Sequence, residues 1–221
     1  MGGPAVNRAR APRDKAARRD AILAAAGRLF DARGPQGGGP GVLTMSALAR
    51  EAGLAKGTLY LYFRTKEEIF LALVLAELAA WLGALEQGLD ELHAPLAPLP
   101  VAQVVARSVR ERSRLLRLLG VLHPVLEQNL EAQALLSFKL ALAELLAGPA
   151  TRMELRLPVL APGDGARLLQ RLHVLIVGLS QAARPVPAVA AILDRPELAC
   201  MRLDFDAELI EMVAAILRGW R

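Results

Sequence analysis

Aromatic side chains are scarce in this chain of 221 residues, 4% of positions, although 54% of it is hydrophobic. β-Branched residues are scarce too: Val, Ile and Thr together number 25, against 43 Leu. Strands draw on β-branched and aromatic residues, whereas Leu and Ala favour helices, so an all-α fold is expected. A single cysteine, Cys200, excludes an internal disulfide framework and a cysteine-cluster zinc site. The three histidines stand at least 30 residues apart, which leaves no local metal-ligating spacing, and no metal is expected. Gly37–Gly39 lacks the Lys-Ser/Thr that a nucleotide loop requires, and there is neither a G-x-S-x-G elbow nor a His-Glu-x-x-His pair. An enzyme is therefore not expected, nor a cofactor. Long apolar runs are missing as well. Leu172 to Ala183 is too short to span a bilayer, and Lys139 and Glu144 interrupt the other greasy stretch. Met1 to Arg19 has no apolar core of the kind a signal peptide needs, and Val6 stands where a myristoylation signal requires Ser or Thr. The expected location is cytoplasmic.

What is present is unevenly placed. Residues 1–70 carry 12 Lys/Arg against 6 Asp/Glu, while residues 71–221 carry 15 against 16. Five of the nine aromatics fall in the same first 70 residues. A basic, aromatic head thus precedes a neutral, leucine-rich body.

Residues 1–13 form a basic arm expected to be disordered on its own. From Asp14 to Arg33, Ile22, Ala26, Leu29 and Phe30 make one apolar stripe of an amphipathic helix. Gly34 to Gly41 is a loop by its density of Gly and Pro, expected to be mobile. Two short helices, Met45–Ala52 and Lys56–Phe63, come next. Thr65 and Glu68 then have capping-box spacing at the start of a long helix to about Leu92. Pro95, Pro98 and Pro100 close it. A second long helix is expected from about Val101 to Leu122; Pro124 then permits a kink or a fresh start, and helical residues continue to about Leu146, before Gly148-Pro149. The remainder reads as a loop from Leu157 to Gly163, an apolar helix over 164–183, a segment broken by Pro185, Pro187 and Pro196, and a last helix from Asp204 to Trp220. The last helix stripes Phe205, Leu209, Met212, Val213, Ile216 and Trp220.

The segment from Thr44 to Phe63 carries the function. Thr44 is a good N-cap, Ala49 is small enough for a crossing helix, and Gly53 sits where the chain leaves the first helix and needs a left-handed backbone. Leu48, Ala52, Leu54 and Leu59 supply the joining core, and Lys56, Thr58, Tyr60 and Tyr62 are expected outward. Donors and flat rings on a thin helix suit a DNA major groove. An ordinary helical hairpin would share the Ala-to-Gly spacing, but would gain nothing from two exposed phenols.

At these residues the chain resembles the tetracycline-repressor (TetR) family of bacterial transcription regulators. The matching pattern is Thr44, Leu48-Ala49, Gly53, Lys56-Gly57-Thr58-Leu59-Tyr60-Leu61-Tyr62-Phe63 and Lys66-Glu67-Glu68-Ile69, with Leu29-Phe30 upstream. The resemblance implies a three-helix helix-turn-helix DNA-binding domain over 14–65 and an all-helical effector-binding and dimerisation domain over 66–221. It also implies that Thr44, Tyr62 and Lys66 touch DNA phosphates while Lys56, Gly57, Thr58 and Tyr60 lie against the groove. The expected partners are a near-palindromic double-stranded operator, a second copy of the chain, and a small effector that releases the DNA. The chain departs from the family pattern in the longer Gly34–Gly41 loop and in Ala55, where relatives often have Ser.

In the body, Trp81, His123 and Phe138 are candidate effector contacts by the same resemblance, and the aliphatic surroundings suggest an apolar effector. Each alone is equally at home in a core. Arg107, Arg110, Arg114 and Arg117 fall on one helical stripe, either a solvated face or a contact with an acidic partner surface or an anionic ligand. The helix over 164–183 and the last helix are expected to form a four-helix dimer face. The reading is a ligand-responsive repressor. The alternative is a constitutive DNA-binding scaffold with the same head and no effector.

Overall fold

Ile22, Ala26 and Phe30 recur at one-turn spacing and are wholly buried, so the first helix turns one stripe inward, with Lys15, Arg18, Arg19, Asp20 and Arg28 exposed. The computed structural model describes residues 6–32, 43–93, 95–122 and 130–220. The Gly34–Gly41 stretch, His123 and Pro124 lie outside the described residues. Every regular element among the described residues is a helix: α1 Val6–Asp31, α2 Met45–Glu51, α3 Lys56–Tyr60, α4 Lys66–Asp90, α5 Pro98–Arg110, α6 Ser113–Gly120, α7 Ala132–Arg156, α8 Asp164–Ala182, α9 Pro187–Leu193, a 3₁₀ turn Pro196–Met201, and α10 Phe205–Arg218.

α1 begins at Val6 rather than Asp14, so most of the arm expected to be disordered is helical. Ala and Arg favour the helix that follows. α1 to α3 close over Phe30, Leu43, Leu48, Leu59 and Phe63, and the first turn of α4 adds Ile69 and Phe70 to that core. The Phe30 and Phe70 rings meet at 6.4 Å, tilted by 56°. α4 thus belongs to both parts. Thr65 caps it by accepting from the Glu68 amide at 3.1 Å, and the Glu68 carboxylate reaches back to the Arg64 amide at 2.8 Å. The capping box is reciprocal, shifted one residue upstream of its usual return bond.

Further along, α4 is buried at Leu78, Trp81, Leu82, Leu85 and Leu89 against α5, α6 and α7. By length and composition α4 and α7 are each apolar enough to cross a bilayer. In α4 that hydropathy is consumed by the core. α7 instead leaves Leu136, Leu140 and Leu155 exposed.

Two helices differ from the sequence expectation. The expected helix over 101–122 is two helices, broken at Glu111 and Arg112. The Ser108 hydroxyl donates to the Val105 carbonyl and the Arg112 guanidinium donates to the Ser108 carbonyl, so side chains end α5 early. It also starts early, at Pro98, where a missing amide costs nothing. Conversely, α7 runs through Gly148 and Pro149 to Arg156. Ala150 and Met153 are buried there beside α8, and that packing carries the helix across the proline. The contact is so close that a Cβ on Gly165 would lie 2.2 Å from the Ala150 carbonyl oxygen. Glu154 completes the joint by accepting the Gly163 and Gly165 amides at 2.9 and 2.8 Å.

The break also separates the four arginines of the expected stripe. Arg107 faces Glu91 at 3.7 Å and Arg110 faces Asp206 at 2.9 Å, while Arg114 and Arg117 on α6 converge on Asp31 at the end of α1. Their acidic partners are therefore within the chain. Arg114 donates from Nε to Asp31 at 2.9 Å, again from Nη2, and from Nη1 to Glu77 of α4 at 2.8 Å. Arg117 also lies over the Phe30 ring at 5.4 Å.

Burial pushes the Asp31 carboxyl up, but hydrogen bonds and charge from Arg114 and Arg117 outweigh it and hold it below the usual carboxylate range. A depressed acid stabilises the fold above its unfolded pKa and loses that contribution as pH falls through its folded value. Replacing Asp31 with Asn should therefore cost roughly 1 kcal/mol at pH 7, discounted for partial exposure. The penalty should shrink as pH falls below about 4, the ordinary aspartate value. Urea unfolding at a series of pH values measures this; parallel curves for the two proteins would contradict it.

Candidate nucleic-acid interface

The helix-turn-helix is built by local chemistry. Thr44 has extended φ/ψ of −115° and 145°, and its Oγ1 accepts the Ala47 amide at 3.1 Å, which starts α2. Ala49 is buried at the crossing. α2 ends where Gly53 takes φ +66°, the left-handed conformation that its sequence position demands. The Leu54 amide returns to the Ala49 carbonyl at 2.9 Å and closes the turn. Arg28 of α1 binds the Glu51 carboxylate at 2.6 Å and so ties α2 down from outside.

α3 stops at Tyr60, three residues short of the expected Phe63, and 61–62 form a turn. Its inward side is held by Leu59, and Phe63 follows into the same core beneath Arg19, whose guanidinium sits 4.5 Å over the ring. The residues turned outward are Lys56, Gly57, Tyr60 at 46% exposure and Leu61 at 78%. Lys56 and Tyr60 are separated by one turn and therefore share a face. Thr44 is exposed at the head of α2. Thr58 and Tyr62 were expected outward but are half-buried on the flank of α3. Their spacing of four places them together, beside the core rather than opposite it. Lys66 is half-buried at the start of α4, 3.8 Å from Glu67. Ala55 contributes no side-chain cap to α3.

Chemically the outward face offers an ammonium, a phenol, an exposed hydroxyl and a glycine with open space where a Cβ would stand. Donors and a ring on one helix face fit base edges and phosphate oxygens. Sequence reasoning passed over Leu61. Its signal was present, an apolar residue between two tyrosines in a segment whose core positions were already filled.

Of the body candidates, His123 lies outside the described residues, and Trp81 and Phe138 are not brought together. Trp81 is 3% exposed and its Nε1 donates to Ser108 Oγ at 3.0 Å, so it is a satisfied core residue on the α4–α5 contact. Phe138 is also buried, but it lines a half-open cavity of about 370 Å³ between the head and α4 and α7. Phe63, Leu71, Leu75 and Ala141 make apolar walls, while Arg19, Arg64, Glu68 and Glu131 supply charge at the same site. Tyr62 lines it too, which puts a phenol of the helix-turn-helix segment against the cavity.

Comparison with known proteins follows the same division. Residues 22–73 match the family model described as bacterial regulatory proteins, tetR family. Residues 75–221 match the model described as tetracyclin repressor-like, C-terminal domain. Among solved structures, a putative TetR-family transcriptional regulator from Mesorhizobium loti is 19% identical, with a TM-score of 0.53 over 93% of this chain and 96% of that one. The regulator FadR from Bacillus subtilis, solved with stearoyl-CoA, is 21% identical, with a TM-score of 0.52 over 91% and 98%. PfmR, a TetR-family regulator from Thermus thermophilus, is 21% identical, with a TM-score of 0.50 over 90% and 98%. Comparison with curated protein sequences finds no match. The two family models divide the chain between them, the head to one and the body to the other, and together they show that it belongs to the TetR family of bacterial transcription regulators.

Proposed function

We propose that the protein is a ligand-responsive repressor that binds a near-palindromic operator as a dimer and is released by a small effector. The observation that carries the DNA-binding part is the exposed face of α3, where Lys56, Gly57 and Tyr60 stand free of the core. Lys56, Gly57 and Tyr60 enter the major groove. Thr44, Thr58, Tyr62 and Lys66 flank it within reach of the backbone. Phosphate contacts from the basic head fix register and make the affinity salt-dependent, and base contacts select the sequence. In this reading the DNA-binding unit spans 14–65 and the effector and dimer unit 66–221. The location is cytoplasmic, where the DNA is, and no chemistry is catalysed.

The effector site of the proposal is the cavity at the head–body junction, contacted by Phe138. Its apolar walls suit an apolar or amphipathic molecule, and its contact with Tyr62 and Phe63 gives such a molecule direct purchase on the head. An effector acts only through a difference in affinity between DNA-competent and released states. The FadR neighbour was solved with stearoyl-CoA, an amphipathic ligand, which supports the ligand class. Trp81 is placed in the core by this reading, not at the effector.

The dimer face of the proposal is α8 with α10. Val174 is 66% exposed, Met212 is 38% exposed, and Gly178 has open space where a side chain would sit. Leu172, Ile176 and Leu179 of the same helix are buried inside the subunit, so the two sides of α8 serve different partners. Light scattering at micromolar concentration should give a dimer, and Val174→Asp should shift it to monomer with little change in helicity. A wild-type monomer would contradict this.

The DNA assignment predicts that Lys56→Ala and Tyr60→Ala each weaken operator binding by roughly 10- to 100-fold, with the melting temperature nearly unchanged. The operator is first obtained by selection from random DNA and binding is then followed by fluorescence anisotropy. Retention of full affinity by both variants would show that another surface meets the DNA.

A further inference from the structure

Leu61 and Tyr60 are the large hydrophobic side chains of the head that stand exposed among the described residues, and Leu61 is the more exposed at 78%. Its neighbours Leu59 and Phe63 already fill the core, so Leu61 contributes nothing to folding. Gly57 stands exposed in the first turn of the short helix α3, which Leu61 follows directly. A Cβ at Gly57 would meet no atom of the described residues within 4 Å. Among the described residues, packing does not require glycine at that position. The bare backbone there leaves room for an outside surface to come close to α3, and Leu61, next after Tyr60 at the end of α3, is likewise exposed to solvent.

In a major groove the chemistry available to Leu61 is narrow. Three of the four bases present only donors and acceptors there, and thymine alone adds a methyl group. A leucine set against a polar base edge strips it of water and returns no hydrogen bond, which is unfavourable. Against a thymine methyl it buries apolar surface on both sides. We propose that Leu61 reads a thymine by its methyl group and so fixes one base position in each operator half-site. This assignment rests on the DNA-binding reading above. Lys56 and Tyr60 supply polar contacts beside it, so Leu61 adds discrimination more than affinity.

The test needs no variant at its first step. The wild-type protein selects its operator from a random pool, and each thymine of that operator is then replaced by deoxyuridine, which lacks only the methyl. At one position per half-site the replacement should weaken wild-type binding by about fourfold. The Leu61→Ala protein should be indifferent to that replacement, and its own selected pool should lose the thymine preference there and keep the rest of the motif. Matching thermal melts of the two proteins confirm that the exposed substitution leaves the fold intact. If wild-type binding tolerates deoxyuridine everywhere, or if Leu61→Ala selects the same thymine, the role of Leu61 is overturned while the DNA-binding reading stands. If the wild-type pool yields no motif at all, both are overturned.

Discussion

The carboxylate of Asp31, held between Arg114 and Arg117, is the interaction on which the arrangement of the molecule turns. It sits at the last turn of α1 and receives both guanidinium groups from α6, while Arg114 also binds Glu77 on α4. Three helices from the two parts of the chain meet at one guanidinium, that of Arg114. The pairs are only partly buried, so their net stability is modest, since desolvation offsets much of the attraction. Their larger effect is geometric. Arg114 donates twice to one oxygen of Asp31 and Arg117 donates to the other, which holds the carboxylate from two sides, and a Cβ at Gly27 would lie only 2.9 Å from the Arg114 guanidinium, so α1 is seated closely on α6. The exposed side of α3 therefore has a defined orientation relative to the body.

The covalent link works alongside this ionic one. α4 starts inside the head's core with Ile69 and Phe70 and ends deep in the body with Leu85 and Leu89. A rigid helix that is core on both sides transmits a change at either end. In the proposed regulator, a ligand in the cavity beside Phe138 touches the α4 face at Leu71 and Leu75 and the head at Phe63. Coupling between ligand and DNA then needs no long path through the bundle. A small displacement of α4 against α1 alters the spacing of two α3 helices across a dimer, and half-site spacing is fixed by the pitch of DNA.

Much of the head was legible because its signals are local. Thr44 caps the helix that its sequence position starts, Gly53 takes the left-handed turn, and Leu59 and Phe63 go inward, each decided by neighbours within four or five residues. The body was legible as helices but not in their limits. The break between α5 and α6 depends on Ser108 and Arg112 capturing carbonyls, and the helix across Pro149 depends on α8 packing beside Ala150. Neither is a property of the segment itself. The arginines that looked like one stripe are dispersed by that break, and the head–body joint was unreadable because Asp31 and Arg114 are 83 residues apart. Trp81 and Phe138 looked alike in sequence. Only the fold separates a tryptophan bonded to Ser108 from a phenylalanine at a cavity wall. The outward set of α3 was half right for a simple reason. α3 ends at Tyr60, and the turn at 61–62 brings Leu61 out while Thr58 and Tyr62 stay half-buried.

The central claim is that one exposed helix face, repeated by dimer symmetry, reads the major groove in two places. Chemical protection of guanine N7, which lies in the major groove, tests it most directly on the selected operator. The account predicts two protected clusters on one side of the duplex, their centres about one helical turn apart or a little more, ~34 Å. Protection confined to the minor groove, or a single cluster without a symmetric mate, would contradict it.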